Sequence, residues 1–72
     1  MEKMLEVEYG GKLVTIFKVV TQVPTISGGY VMEEHVGRVH PSHRDASDVR
    51  GGALSAEELL QRLKAGIEAG HF

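Results

Sequence analysis

The chain has no cysteine and no tryptophan, two prolines, and only two tyrosines and two phenylalanines. Without cysteine there is neither a disulfide framework nor a thiolate metal site, which fits a reducing compartment. So few rings, scattered along the chain, leave no aromatic platform on which bases could stack. Neither sign of charge dominates: eight basic and ten acidic residues give a net charge of −2. A dedicated nucleic-acid binder is usually basic or carries a basic stripe, and here lysines and arginines are interspersed with acids. The apolar runs are too short to span a bilayer, and Met1-Glu2-Lys3-Met4 lacks the apolar stretch of a signal peptide. The expected location is the cytoplasm, with no membrane partner. No GxSxG, HExxH, dinucleotide-binding or P-loop pattern is present. Ser42, His43 and Asp45 are triad residue types, but neighbours on one loop rarely converge into a nucleophile, base and orienter. The expected class is non-enzymatic, without a cofactor.

What the sequence does have is one long run of β-branched and apolar residues, Leu13 to Val23. Such residues fit a pleated surface and lose rotamer freedom in a helix. Leu13, Phe17 and Val19 lie on one face of that strand and Val14, Ile16 and Val20 on the other. A strand apolar on both faces expects cover on both. Upstream, Leu5, Val7 and Tyr9 alternate with Glu6 and Glu8, the pattern of an edge strand with an acidic wet face. Gly10-Gly11 between the two runs signals a hairpin. A two-residue turn pairs Tyr9 with Lys12 and Val7 with Val14, so Leu5 and Val7 share a face with Val14 and Ile16. A three-residue turn including Lys12 would instead pair Tyr9 with Leu13 and Leu5 with Phe17; the glycine positions favour the former.

Pro24 and Ser27-Gly28-Gly29 read as a loop over 22–29. Tyr30 to His40 reads as a third strand, because Tyr-Val favours a strand and Gly37 disfavours a helix. Residues 40–53 have almost no apolar content and read as a long polar loop. The clearest element is a helix over 55–69. Ser55 and Glu58 make a capping box, Leu54 and Leu59 a hydrophobic staple, and Leu59, Leu60, Leu63 and Ile67 an apolar stripe ending before Gly70. The expected fold is one small α+β domain over 1–72: a three-stranded antiparallel sheet with the C-terminal helix on one face.

Three functional readings follow. Histidine and carboxylate are zinc or nickel ligands, and His40, His43 and Asp45 are the candidate set, although no second pair of ligands is spaced to complete it. Arg38, His40, His43, Arg44 and Arg50 could touch phosphates as a nucleic-acid accessory, with Asp45 and Asp48 opposing them. The favoured reading is a protein-interaction module. A lone sheet with one helix covers one face only, so about three large side chains of the central strand remain, each worth about 1.5–3 kcal/mol on burial. A homodimer that docks on another macromolecule would bury them. Phe17 and Val19 join Arg38, His40, His43, Arg44 and Arg50 as candidate partner-binding residues.

Overall fold

The computed structural model describes residues 1–44 and 48–72. Its first hairpin follows from the glycine pair. Gly10 and Gly11 have φ of +57° and +78°, the left-handed values that a two-residue hairpin turn requires. They join β1, Glu2–Tyr9, to β2, Lys12–Thr25. The register is Tyr9↔Lys12, Val7↔Val14 and Leu5↔Ile16, the one the two-residue turn predicts. A β-bulge between Lys3 and Leu5 then shifts the ladder, so that Lys3 opposes Phe17. Because side chains alternate with period two, that single extra residue moves Lys3 to the opposite face from Leu5.

Strand β3, Gly28–His40, pairs with β2 without a break from Leu13↔His40 to Thr25↔Gly28. Residues 30–40 are therefore strand, as expected. The expected loop over 22–29 is corrected: only Ile26 and Ser27 form a turn, and Pro24 sits inside the ladder opposite Gly29. The reason lies in which way the backbone points. Gly51 N–H donates to the His35 carbonyl at 2.7 Å from beyond β4, so odd-numbered β3 residues turn their polar groups away from β2. In the unbroken register, even-numbered β2 residues then turn theirs away from β3. Pro24 is one of them, and its missing N–H falls on an open edge, where proline is tolerated.

Among the described residues the sheet has four strands, not three. The expected polar loop over 40–53 contains β4, Asp48–Arg50, paired with β3 as Val36↔Arg50, Gly37↔Val49 and Arg38↔Asp48. Three residues are too short for a hydrophobic period, and Val49 alone turns toward the core. The order is β1-β2-β3-β4, a meander.

Helix α1, Ala56–Glu68, packs on the sheet face that carries Val14, Ile16 and Val39. Glu58 N–H donates to Ser55 Oγ at 3.1 Å and Ser55 N–H donates back to Glu58 Oε1 at 3.2 Å, completing the capping box. The same contacts, the Ser55 backbone N–H foremost, hold the Glu58 carboxyl below its ordinary pKa. Ser55→Ala is expected to destabilise the chain by about 0.5–2 kcal/mol, read as a lower urea midpoint. At the other end His71 N–H reaches the Gly66 carbonyl at 2.9 Å and Gly70 N–H reaches Ile67 at 3.1 Å, a Schellman turn. That turn folds Phe72 back under the helix, where a Cβ on Gly66 would lie 2.6 Å from the ring. The buried apolar core is Val14, Ile16, Val39, Leu59, Leu60, Leu63 and Phe72, flanked by Leu5, Val7, Val49, Leu54 and Ile67. Among the described residues no helix is long and apolar enough to cross a membrane.

β1 reaches β2 only as far as Lys18, and β4 with Gly51 reaches β3 only as far as His35. Lys18 and His35 oppose one another, so both flanks end at the same rung. Beyond it, Val19–Thr25 and Gly28–Glu34 continue as a two-stranded arm, with no further strand paired to either edge among the described residues. The arm accounts for the elongation of the molecule, 47 × 22 × 17 Å.

Candidate functional site

The register determines what each uncovered surface displays. On the sheet face away from α1, β2 contributes Thr15, Phe17, Val19 and Thr21, and β3 contributes Arg38, Val36, Glu34 and Met32 as their cross-strand partners. β4 adds Asp48 and Arg50. This face has an apolar middle and an ionic border. Arg38 Nε and Nη2 donate to Asp48 Oδ1 and Oδ2 at 2.8 and 3.2 Å. Arg50 Nε and Nη2 donate to Glu34 Oε1 and Oε2 at 2.7 and 3.4 Å. Both are two-pronged guanidinium–carboxylate pairs across neighbouring strands. The Arg38 guanidinium also lies 5.1 Å from the centre of the Phe17 ring, a cation–π contact. Val19, Thr21, Met32 and Val36 line a shallow depression between these pairs, with Met1 at its rim.

The hydrogen bonds from Arg38 hold the Asp48 carboxyl below its ordinary pKa. The unfolded chain therefore takes up this proton first as the pH falls. The pair's contribution is present above about pH 4, the ordinary carboxyl value, and fades as the pH drops toward the folded value. Glu58 acts in the same direction. Asp48→Asn is expected to flatten the acid side of the stability curve, measured as urea midpoint from about pH 5 down to about pH 1. A variant with an unchanged acid slope would show that the pair contributes nothing to stability.

The second uncovered surface is the arm. Of the eight large apolar side chains exposed among the described residues, Met1, Met4 and Leu13 lie elsewhere and five belong to it or its turn: Val20, Ile26, Tyr30, Val31 and Met32. They stand on both faces: Val20 and Val31 on the helix side, Tyr30 and Met32 on the other. Gln22, Val23, Pro24, Gly28 and Gly29 complete a hollow near the tip.

The predicted partner-binding residues divide between two places. Phe17, Val19, Arg38 and Arg50 come together on the open sheet face, with His40 at its end opposite Leu13. His43 and Arg44 go to the helix side instead. His43 Nε2–H donates to the Gly70 carbonyl at 3.1 Å, and the Arg44 guanidinium lies 5.2 Å from the centre of the Phe72 ring. The arginines thus form no shared stripe: Arg38 and Arg50 each have a carboxylate, and Arg44 stacks on a core ring. Among the described residues no group of three or more histidine, aspartate or glutamate side chains is placed to hold a metal ion; Asp45, the third candidate ligand, lies outside them.

The arm residues Val20, Ile26, Tyr30, Val31 and Met32 were not among the residues expected from sequence. Their signal was the continuation of apolar alternation on both sides of the proline and the glycine pair. Compared with models of known protein families, with curated proteins and with solved structures, the chain matches none.

Proposed function

We propose that the chain is a non-enzymatic protein-interaction module that works as a homodimer and docks on another macromolecule. The observation that carries this reading is the arm, which places apolar side chains on both faces of a ribbon that, among the described residues, no other element covers beyond its base. A two-stranded ribbon is marginally stable in water on its own, and three or more strands with a covered face are needed for independent stability. Contiguous exposed apolar surface of this kind marks an interaction site, and a second copy is always at hand to occupy it.

The dimer leaves the open sheet face for the further partner. Phe17, Val19 and Val36 supply its apolar middle, and the two ion pairs supply a polar border, the arrangement of a protein interface with a dry centre and a wet rim. A protein partner is favoured over a nucleic acid because Arg38 and Arg50 are already neutralised by Asp48 and Glu34. Light scattering at micromolar concentration tests the self-association. The expected mass is twice the 7.9 kDa chain, unchanged by EDTA. A folded monomer at those concentrations would contradict it.

A further inference from the structure

The arm has two open edges, and they are not equivalent. On the β2 edge the outward-pointing residues are Val20, Gln22 and Pro24, and the proline removes a donor. On the β3 edge they are Gly29, Val31 and Glu33, fixed by the outward carbonyl of His35 that Gly51 occupies. These three carry both N–H and C=O, with no proline among them. Gly51 closes this edge at one end and the Ile26-Ser27 turn closes it at the other. What remains is a short, open, apolar strand edge, the form that pairs most readily with another strand.

Resting on the self-association proposed above, we infer that two copies join through this β3 edge, antiparallel about a two-fold axis at Val31. The register follows from what each centre would bring together. An axis at Glu33 sets two like charges directly opposite, which is destabilising, and runs the partner strand into the rung closed by Gly51. An axis at Gly29 brings Val31 against the turn residue Ser27 and wastes half the edge. An axis at Val31 uses the whole open stretch. Val31 meets Val31 of the other copy in a hydrogen-bonded pair, and Glu33 meets Gly29. Glu33 needs no cation from across the axis, because Lys18 of its own chain lies 3.3 Å away. On the face away from α1, Tyr30 meets Met32 of the other copy twice, an aromatic–thioether pair. These are the side chains that stand open in the single chain: Tyr30, Val31 and Met32 are 53%, 57% and 48% exposed. Two ribbons become one four-stranded sheet, β2-β3-β3-β2, with proline only on its outer edges.

The chain has no cysteine, so introduced thiols report this contact alone. Tyr30→Cys and Met32→Cys proteins are mixed, oxidised and run on a non-reducing gel, with the mass of the parent measured alongside. The mixture is expected to give a disulfide-linked dimer, because the two positions face each other in a non-hydrogen-bonded pair where Cβ atoms lie about 4.5–5.5 Å apart. Either variant alone leaves its thiol opposite an unchanged side chain and is expected to cross-link far less. Val31→Pro removes the central outward donor and is expected to halve the mass with the circular dichroism unchanged. Gln22→Pro, on the other edge, is expected to remain dimeric. A dimeric parent whose cysteine variants do not cross-link in mixture overturns the β3 edge pairing and leaves self-association standing; a monomeric parent removes both. Should Val31→Pro fail to fold, the cross-linking result alone decides.

Discussion

Leu63→Ala is expected to destabilise the chain by about 2–5 kcal/mol, among the largest effects of any single truncation. Leu63 is 2% exposed and packs from α1 onto Gly37 of β3 within the same core cluster as Ile16. Removing its isopropyl group leaves a cavity that the surrounding rigid sheet cannot collapse to fill, so the lost transfer energy and the lost packing add. A core of this size supplies only about 3–5 kcal/mol in total. The variant is therefore expected to be largely unfolded at room temperature, read by circular dichroism and by the loss of a cooperative urea transition. A variant as stable as the parent would show that α1 does not seat on the sheet through this residue.

Gly37→Val is the second large effect, and it comes from the opposite side of the same contact. A Cβ on Gly37 would fall directly on Leu63 Cδ1 and 3.4 Å from Ile16 Cδ1. The helix approaches β3 closely because that position has no side chain. Overpacking there is expected to destabilise by about 1–3 kcal/mol, or more if α1 must lift as a unit. The two sites share one space, so their effects should not add. Gly37→Ala is expected to be less harmful in the Leu63→Ala background than in the parent, because the cavity left by the leucine receives the new methyl group. Urea denaturation of the two single variants and the double variant, all in the same concentration of a stabilising osmolyte that restores a folded baseline to Leu63→Ala, measures this coupling; strictly additive values would refute the close approach.

The parts of this fold that were legible in the sequence are those with a local physical cause. Gly10-Gly11 set a turn that only positive φ can make, and that turn set the register and hence the helix-covered face. Ser55, Glu58 and the leucine stripe defined α1 at both ends. The parts that were not legible depend on distant partners. Pro24 and Ser27-Gly28-Gly29 carry loop chemistry, yet they lie in or beside a ladder because the proline's nitrogen faces an open edge. Asp48-Val49-Arg50 is strand only because β3 is there to receive it. Phe72 lies beyond the helix stop at Gly70 and is core, since the Schellman turn returns it to Gly66. Of the seven candidate partner-binding residues, Phe17, Val19, Arg38 and Arg50 lie on one surface; Asp48 was expected to oppose the arginines, but its pairing with Arg38 in particular, and that of Glu34 with Arg50, were not legible. Charge pairing across strands depends on register, and the β3–β4 register has no signature in sequence.

The most direct measurement replaces the arm. Residues 20–33 are exchanged for Asn-Gly, which closes Val19 against Glu34 with a two-residue hairpin turn. Every buried core residue is retained, since Val14, Ile16, Val39, Leu59, Leu60, Leu63 and Phe72 all lie outside the replaced segment. The one ion pair removed, Lys18 with Glu33, is exposed and contributes little. If the arm is an association element appended to a self-sufficient core, the shortened chain will keep a cooperative unfolding transition and scatter light as a monomer at concentrations where the parent is a dimer. A shortened chain that still dimerises, or one that no longer folds, would contradict that division of the molecule.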